Sequence, residues 1–162
     1  MSRRDGTPSR PLEGSDPGDL RLVQEVTWRL LAMVERLQQG FAAHAGEFGL
    51  SAAQAKLLMQ LQPSEALPMR ALAERLRYDP SHLTGLVDKL EERGAVRRRP
   101  DPRDRRVKAL VITEEGVRLR DGFWERVVHD PGPLERLDRA QLRRLQDLLG
   151  RALAEGPADR EG

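Results

Sequence analysis

Apolar residues Leu20, Val23, Val26, Leu30, Val34, Leu37, Phe41 and Phe48 recur at helical spacing. This predicts one long amphipathic helix, whose single apolar stripe needs a surface to pack on. Directly after it, Ser51 stands three residues before Gln54, the spacing at which each side chain satisfies an amide of the other, and Leu57, Leu58 and Leu61 carry a second helix to Pro63. A short helix follows Pro68 with Leu72, Ala73 and Leu76 inward, and Tyr78-Asp79-Pro80 closes it and opens the next, with Asp79 as cap and Pro80 in the first helical position. That next helix buries Leu83, Leu86, Val87 and Leu90 and ends at Gly94, leaving Ser81, His82, Thr84, Gly85 and Asp88 elsewhere on its surface.

The pattern then changes. Ala95 to Arg99 and Val107 to Ile112 are short segments with β-branched residues separated by the charged loop PDPRDRR, which predicts a two-stranded hairpin. Thr113 caps a helix that carries Glu114 and Glu115 in its first turn, uses Val117, Phe123, Trp124, Val127 and Val128, and breaks at Asp130-Pro131-Gly132-Pro133. A last helix starts with Asp138 and Gln141 as a capping pair and repeats Leu at 142, 145, 148, 149 and 153. Residues 1–18, rich in Gly, Pro, Ser and charge, are expected to be a disordered tail, and residues 155–162 a flexible C-terminus. Arg3, Arg4 and Arg10 in that tail are better read as solvated than as phosphate contacts.

Composition narrows the reading. The 162 residues allow one compact domain or a small lobe with a helical extension. With 38% hydrophobic and 33% charged residues the chain is globular, and with only 4% aromatic residues its core is built from Leu, Val and Ala. The absence of Cys removes disulfides, thiolate metal sites and cysteine-based oxidant sensing. His44, His82 and His129 lack metal-ligand spacing, so neither a metal nor a cofactor is expected. The N-terminus lacks the apolar stretch of a signal peptide and no long apolar run suggests a membrane span, so a cytoplasmic protein is expected.

A net charge of +2 says little about a polyanionic partner, but its distribution does. Between Ala95 and Leu110, Arg97, Arg98, Arg99, Arg103, Arg105, Arg106 and Lys108 face only Asp101 and Asp104. A ribbon with an Arg-rich tip suits the narrow minor groove of duplex DNA, where negative potential is focused. The tight helix pair before it would present the start of its second helix to the major groove. Ser81, His82 and Thr84 are then the side chains expected at base edges and phosphates, although periodicity alone leaves them equally well as ordinary helix surface. Gly85 in mid-helix costs about 1 kcal/mol relative to Ala, tolerable where the backbone approaches DNA or a packed neighbour closely.

The stretch SHLTGLVDKLEERGAVRRRPDPRDRRVKALVITEEG resembles the MarR family of winged helix-turn-helix transcriptional regulators, and the resemblance extends from about Leu20 to Leu153. Its specificity lies in the order: a helix ending in LVDKLEERG, a wing containing DPRDRR and a capped helix starting ITEEG. The implied fold is mainly α with a small β-hairpin wing, a winged helix-turn-helix lobe over about 50–112 and a helical dimerisation region formed by helices over about 19–48 and 114–154. The resemblance implies that Arg106 is the wing-tip arginine, held by a salt bridge from Asp104, with Arg103 and Arg105 sharing the groove or taking phosphates. It implies a homodimer on a palindromic operator, most simply a repressor, and a small-molecule effector pocket for which Trp28, His44, Phe48 and Trp124 are conceivable walls, though apolar residues at this spacing are more often plain core.

Two other classes of function compete with DNA reading. An enzyme finds little support, since the chain has no phosphate-binding glycine loop, no H-E-x-x-H, no G-x-S-x-G and no α/β alternation. A winged helix that binds RNA or protein is the other, and a steep salt dependence with preference for a palindromic duplex separates it from a DNA reader.

Overall fold

A computed structural model of the chain describes residues 16–63, 65–101 and 104–154. The elements are helix α1 (Pro17–Glu47), α2 (Ala52–Met59), strand β1 (Leu67–Pro68), α3 (Met69–Leu76), α4 (Pro80–Glu92), β2 (Val96–Pro100), β3 (Lys108–Ile112), α5 (Glu114–His129), a short 3-10 turn (Gly132–Arg136) and α6 (Arg139–Leu153). Arg3, Arg4, Arg10 and residues 155–162 lie outside the described residues. The expected tail shortens at its inner end, because α1 already begins at Pro17. Proline is favoured in a first helical turn, where its missing N–H would have no helical partner anyway.

The chain divides into two compact units, Met1–Arg36 and Leu37–Gly162. The described part of the first is the N-terminal stretch of α1, and none of its residues is buried. Leu20, Val23, Val26, Leu30, Leu31 and Val34 all stand open to solvent there.

The second unit holds the core, in which Leu57, Leu58, Leu61, Leu72, Leu83, Val87, Leu90, Val96, Leu110 and Phe123 are fully buried. Phe123 of α5 meets Phe41 in a T-shaped contact at 4.8 Å between centroids and Phe48 in another at 6.3 Å. The starts of α2, α4, α5 and α6 are fixed by local side-chain caps. Ser51 and Gln54 exchange both bonds of a capping box, Asp79 accepts from the His82 amide at 2.8 Å, and Asp138 and Gln141 form a second box. The Thr113 hydroxyl accepts from the Gly116 amide and donates to the Gly94 carbonyl at 2.6 Å, joining the start of α5 to the end of α4. Gly116 is required by that approach, since a Cβ there would lie 2.0 Å from the Ala95 carbonyl oxygen.

The hairpin pairs β2 and β3 antiparallel from Val96↔Ile112 to Pro100↔Lys108. The expected hairpin is present and gains a third strand that the sequence did not signal. Leu67 and Pro68 pair with Leu110 and Ala109, giving a three-stranded sheet in the order β1-β3-β2. Two residues are too few to show strand alternation, and Pro68 is tolerated because β1 is an edge. At the C-terminal end, α6 buries no residue, and Leu142, Leu148, Leu149 and Leu153 remain exposed along it. Among the described residues no helix is long and apolar enough to cross a membrane.

Candidate nucleic-acid interface

α3 and α4 are joined by Arg77, Tyr78 and Asp79. Arg77 takes the left-handed conformation at φ 53°, ψ 44° and its amide closes the end of α3, which turns the chain sharply enough for Asp79 to cap α4 at Pro80. Asp79 caps α4 and also accepts the Ser81 hydroxyl at 2.5 Å. That bond, followed by the His82 amide, holds the Asp79 carboxyl below its ordinary range.

Ser81, His82 and Thr84 all stand exposed on the first turns of α4, as the sequence expects, while Leu83, Leu86, Val87 and Leu90 face the core. The His82 ring meets Tyr78 edge to face at 4.9 Å. The Thr84 hydroxyl donates to the Pro80 carbonyl at 2.8 Å, so its oxygen is left as an acceptor. Gly85 has nothing within 4 Å of where a Cβ would sit, which removes close packing within this chain as the reason for a glycine there.

The wing loop is closed by backbone bonds from Asp101 N–H to the Val107 carbonyl at 2.8 Å and from Val107 N–H to the Asp104 carbonyl at 2.9 Å. Arg105 and Arg106 stand exposed at its turn, and among the described residues neither has an ion-pair partner. Arg103 lies outside the described residues. The bond between Asp104 and Arg106 differs from the expected salt bridge: the Asp104 carboxylate accepts the Arg106 backbone amide at 3.0 Å, as an Asx-type turn does at a separation of two. Asp104 thus shapes the turn and leaves the Arg106 guanidinium free to extend.

The basic run at the base of the hairpin is not uniform. Arg97 and Arg99 are exposed, whereas Arg98, on the alternate face with Val96, turns toward α4 and pairs with Asp88 and Glu91. The count of seven hairpin cations therefore overstates the charge available to a partner. Strand alternation from buried Val96 was the signal that separates Arg98 from its neighbours.

The four residues named for an effector pocket are dispersed in character. His44 is buried, with Nδ1 3.3 Å from Glu47 Oε1 and Nε2 3.1 Å from the Asp130 carbonyl, so both ring nitrogens are engaged. Arg126 binds the same Glu47, and these bonds, Arg126 first and His44 second, hold the Glu47 carboxyl below its usual range. Phe48 packs on Phe123, Trp124 is half-exposed on α5, and Trp28 belongs to the first unit and is exposed. Two grooves of about 470 and 660 Å³ lie elsewhere, one between the wing sheet and the start of α5, the other apolar between α3 and α4. Among the described residues no group of His, Cys, Asp and Glu is placed to hold a metal ion.

The sequence model of the MarR family matches residues 50–108, the stretch that contains this helix pair and most of the wing. The chain is 30% identical over 118 residues to the HTH-type transcriptional regulator YhbI of Bacillus subtilis, covering 71% of this chain and 77% of that protein. The chain belongs to the MarR family. It is also 29% identical over 96 residues to the B. subtilis HTH-type transcriptional repressor MdtR, of whose length it spans 62%. Among solved structures, CouR from Rhodococcus jostii RHA1, crystallised with p-coumaroyl-CoA, superposes with a TM-score of 0.69 at 31% identity, over 83% of this chain and 96% of that one. As a MarR-family regulator the chain is a DNA-binding protein of transcription regulation with a winged-helix fold, and its relatives are regulators rather than enzymes.

Proposed function

We propose that this MarR-family regulator is a repressor that binds an inverted-repeat operator as a homodimer and is released by a small molecule. The observation that carries the DNA geometry is the pairing of two free reading elements on one lobe: the exposed Ser81, His82 and Thr84 at the start of α4, and the exposed Arg105 and Arg106 at the wing turn. In this reading α4 enters the major groove and the wing arginines, with Arg103, track the adjacent minor groove or its phosphates, supported by the turn that Asp104 closes.

Dimerisation is supported by apolar side chains that stand uncovered among the described residues. Leu20, Val23, Val26, Leu30 and Val34 of α1 are exposed at helical spacing in the first unit, and Leu142, Leu148, Leu149 and Leu153 are exposed along α6 in the second, so each helix carries an apolar stripe of the kind that marks an interface. A twofold dimer would set its reading heads about one DNA turn apart, roughly 34 Å. Repression needs only that such a dimer block a promoter, and the related MdtR is named a repressor. The likeness to CouR supports an effector, which must favour one spacing of the heads over the other to release DNA. His44, Phe48 and Trp124 of the second unit, and separately Trp28 of the first, are the candidate effector contacts.

The test is capture and sequencing of genomic fragments by purified protein at about 0.15 M salt with competitor DNA, where binding through phosphates alone is weakened. An inverted repeat with half-sites one turn apart is expected. Fragments with no shared sequence would refute the operator reading.

A further inference from the structure

Asp88 and Glu91 of α4 and Arg98 of β2 form a bonded network that links the two reading elements. Asp88 and Glu91 are one turn apart on α4, and Arg98 reaches them from β2. The Arg98 amide donates to Glu91 Oε1 at 2.9 Å, Nη1 donates to Glu91 Oε2, and Nη2 donates to Asp88 Oδ1 at 2.5 Å. The planar guanidinium thus spans both carboxylates while the strand backbone holds one of them. Burial alone would lower the Arg98 value, and the two carboxylates outweigh it and hold the group above its ordinary range. Glu91 is held low, first by the Arg98 amide and then by its side chain. The other hairpin cations described, Arg97, Arg99, Arg105, Arg106 and Lys108, have no carboxylate partner among the described residues.

The covalent link between α4 and β2 is short and turns at Gly94, φ 74°, where the Gly94 amide donates to the Glu91 carbonyl at 2.8 Å and the Thr113 hydroxyl donates to the Gly94 carbonyl at 2.6 Å; these bonds hold the root of the hairpin, and Arg98 lies on the strand beyond them. We infer that Arg98 is a positioning residue: by bridging Asp88 and Glu91 it fixes the wing at one angle to α4, so that both grooves of DNA are engaged at once, and it makes no contact with DNA itself. This rests on the DNA-binding reading above. It has a consequence opposite in sign to simple electrostatics. Asp88 and Glu91 are negative charges on the helix that meets a polyanion, so removing either should tighten binding if they are merely solvated. If they anchor the bridge, removing either loosens the wing and weakens binding.

The experiment compares full-length wild type with Glu91→Gln, Asp88→Asn, Arg98→Gln and the Glu91→Gln/Arg98→Gln pair on the operator duplex recovered by genomic capture, across a salt series. The single variants are expected to bind about tenfold more weakly, and the pair no more weakly than Arg98→Gln alone, since all break one network. The salt slope in Arg98→Gln should match wild type, whereas loss of a true phosphate contact lowers it by about 0.9. Amide hydrogen exchange on the free proteins should quicken in β2 and β3 and not in α2. Unchanged or tighter binding by Glu91→Gln, or a lowered slope in Arg98→Gln, overturns the inference. Should Arg98→Gln fail to fold, Asp88→Asn, whose side chain is 51% exposed, carries the same sign test. If the wild type selects no duplex, the operator reading fails, and the exchange data still decide whether the bridge orders the wing.

Discussion

Replacing Gly85 by alanine separates what α4 needs to fold from what it needs to bind. The residue lies inside α4, exposed, three positions beyond His82 and next to Thr84, with no positive φ. A methyl group at this site meets no atom within 4 Å, so the free protein offers it neither clash nor new contact. Glycine within a helix costs about 0.5–1 kcal/mol relative to alanine through the backbone freedom it loses. Gly85→Ala should therefore stabilise the fold by about that amount, which raises the melting temperature by about 1–4 °C in a chain of this size. A position that forgoes this gain on an open helix face is explained if the backbone there lies against the duplex. The added methyl would then overpack the interface at about 1–3 kcal/mol, roughly a five- to hundredfold loss of affinity. Urea or thermal unfolding gives the first quantity and fluorescence anisotropy on the operator duplex, at one fixed salt concentration, gives the second. Because the two changes have opposite signs, partial unfolding cannot imitate the result. A stabilised variant that binds like wild type would refute the close approach of α4 at Gly85, and a destabilised one would refute its open surroundings.

Arg106→Ala should weaken operator binding by about 1–3 kcal/mol with an unchanged melting temperature, because its guanidinium has no partner within the described chain; wild-type affinity would remove it from the interface. Asp104→Ala should also weaken binding although it deletes a negative charge, since the turn amide of Arg106 loses its acceptor, and tighter binding would show Asp104 to be only an opposing charge. In acid, the carboxyls of Glu47, Asp79 and Glu91 are held below their ordinary values of 4.5, 3.8 and 4.5, so the native state binds fewer protons than the unfolded one. Their contribution is complete above the ordinary values and is lost as pH falls through the lowered ones, so the urea midpoint should drop steadily below about pH 4; a midpoint that rises there contradicts the assignment. Leu149→Asp, on the exposed face of α6, should yield a folded monomer by light scattering, and an intact dimer would place the interface elsewhere.

How much of this was legible in the sequence follows from the range over which each feature is determined. Helix starts were legible because their chemistry is local: Ser51 with Gln54, Asp79, Thr113, and Asp138 with Gln141 all make the caps their spacing implied. β1 was not, because its pairing joins Leu67 to Leu110 across 43 positions and two residues carry no period of their own. The same division runs through the binding face. That Ser81, His82 and Thr84 stand open on α4 follows from where Leu83, Leu86 and Val87 must point, so a periodic argument finds them. What a charged side chain does in a folded chain depends instead on what neutralises it, and that is a tertiary fact. Arg97, Arg98 and Arg99 are equivalent in a charge count, yet only Arg98 lies within reach of Asp88 and Glu91. The alternation that places it beside Val96 says which way it faces, and the packing of α4 against β2 supplies the carboxylates that meet it. A basic patch read from sequence is therefore an upper bound on the charge offered to DNA, and part of it belongs to the joint that aims the remainder.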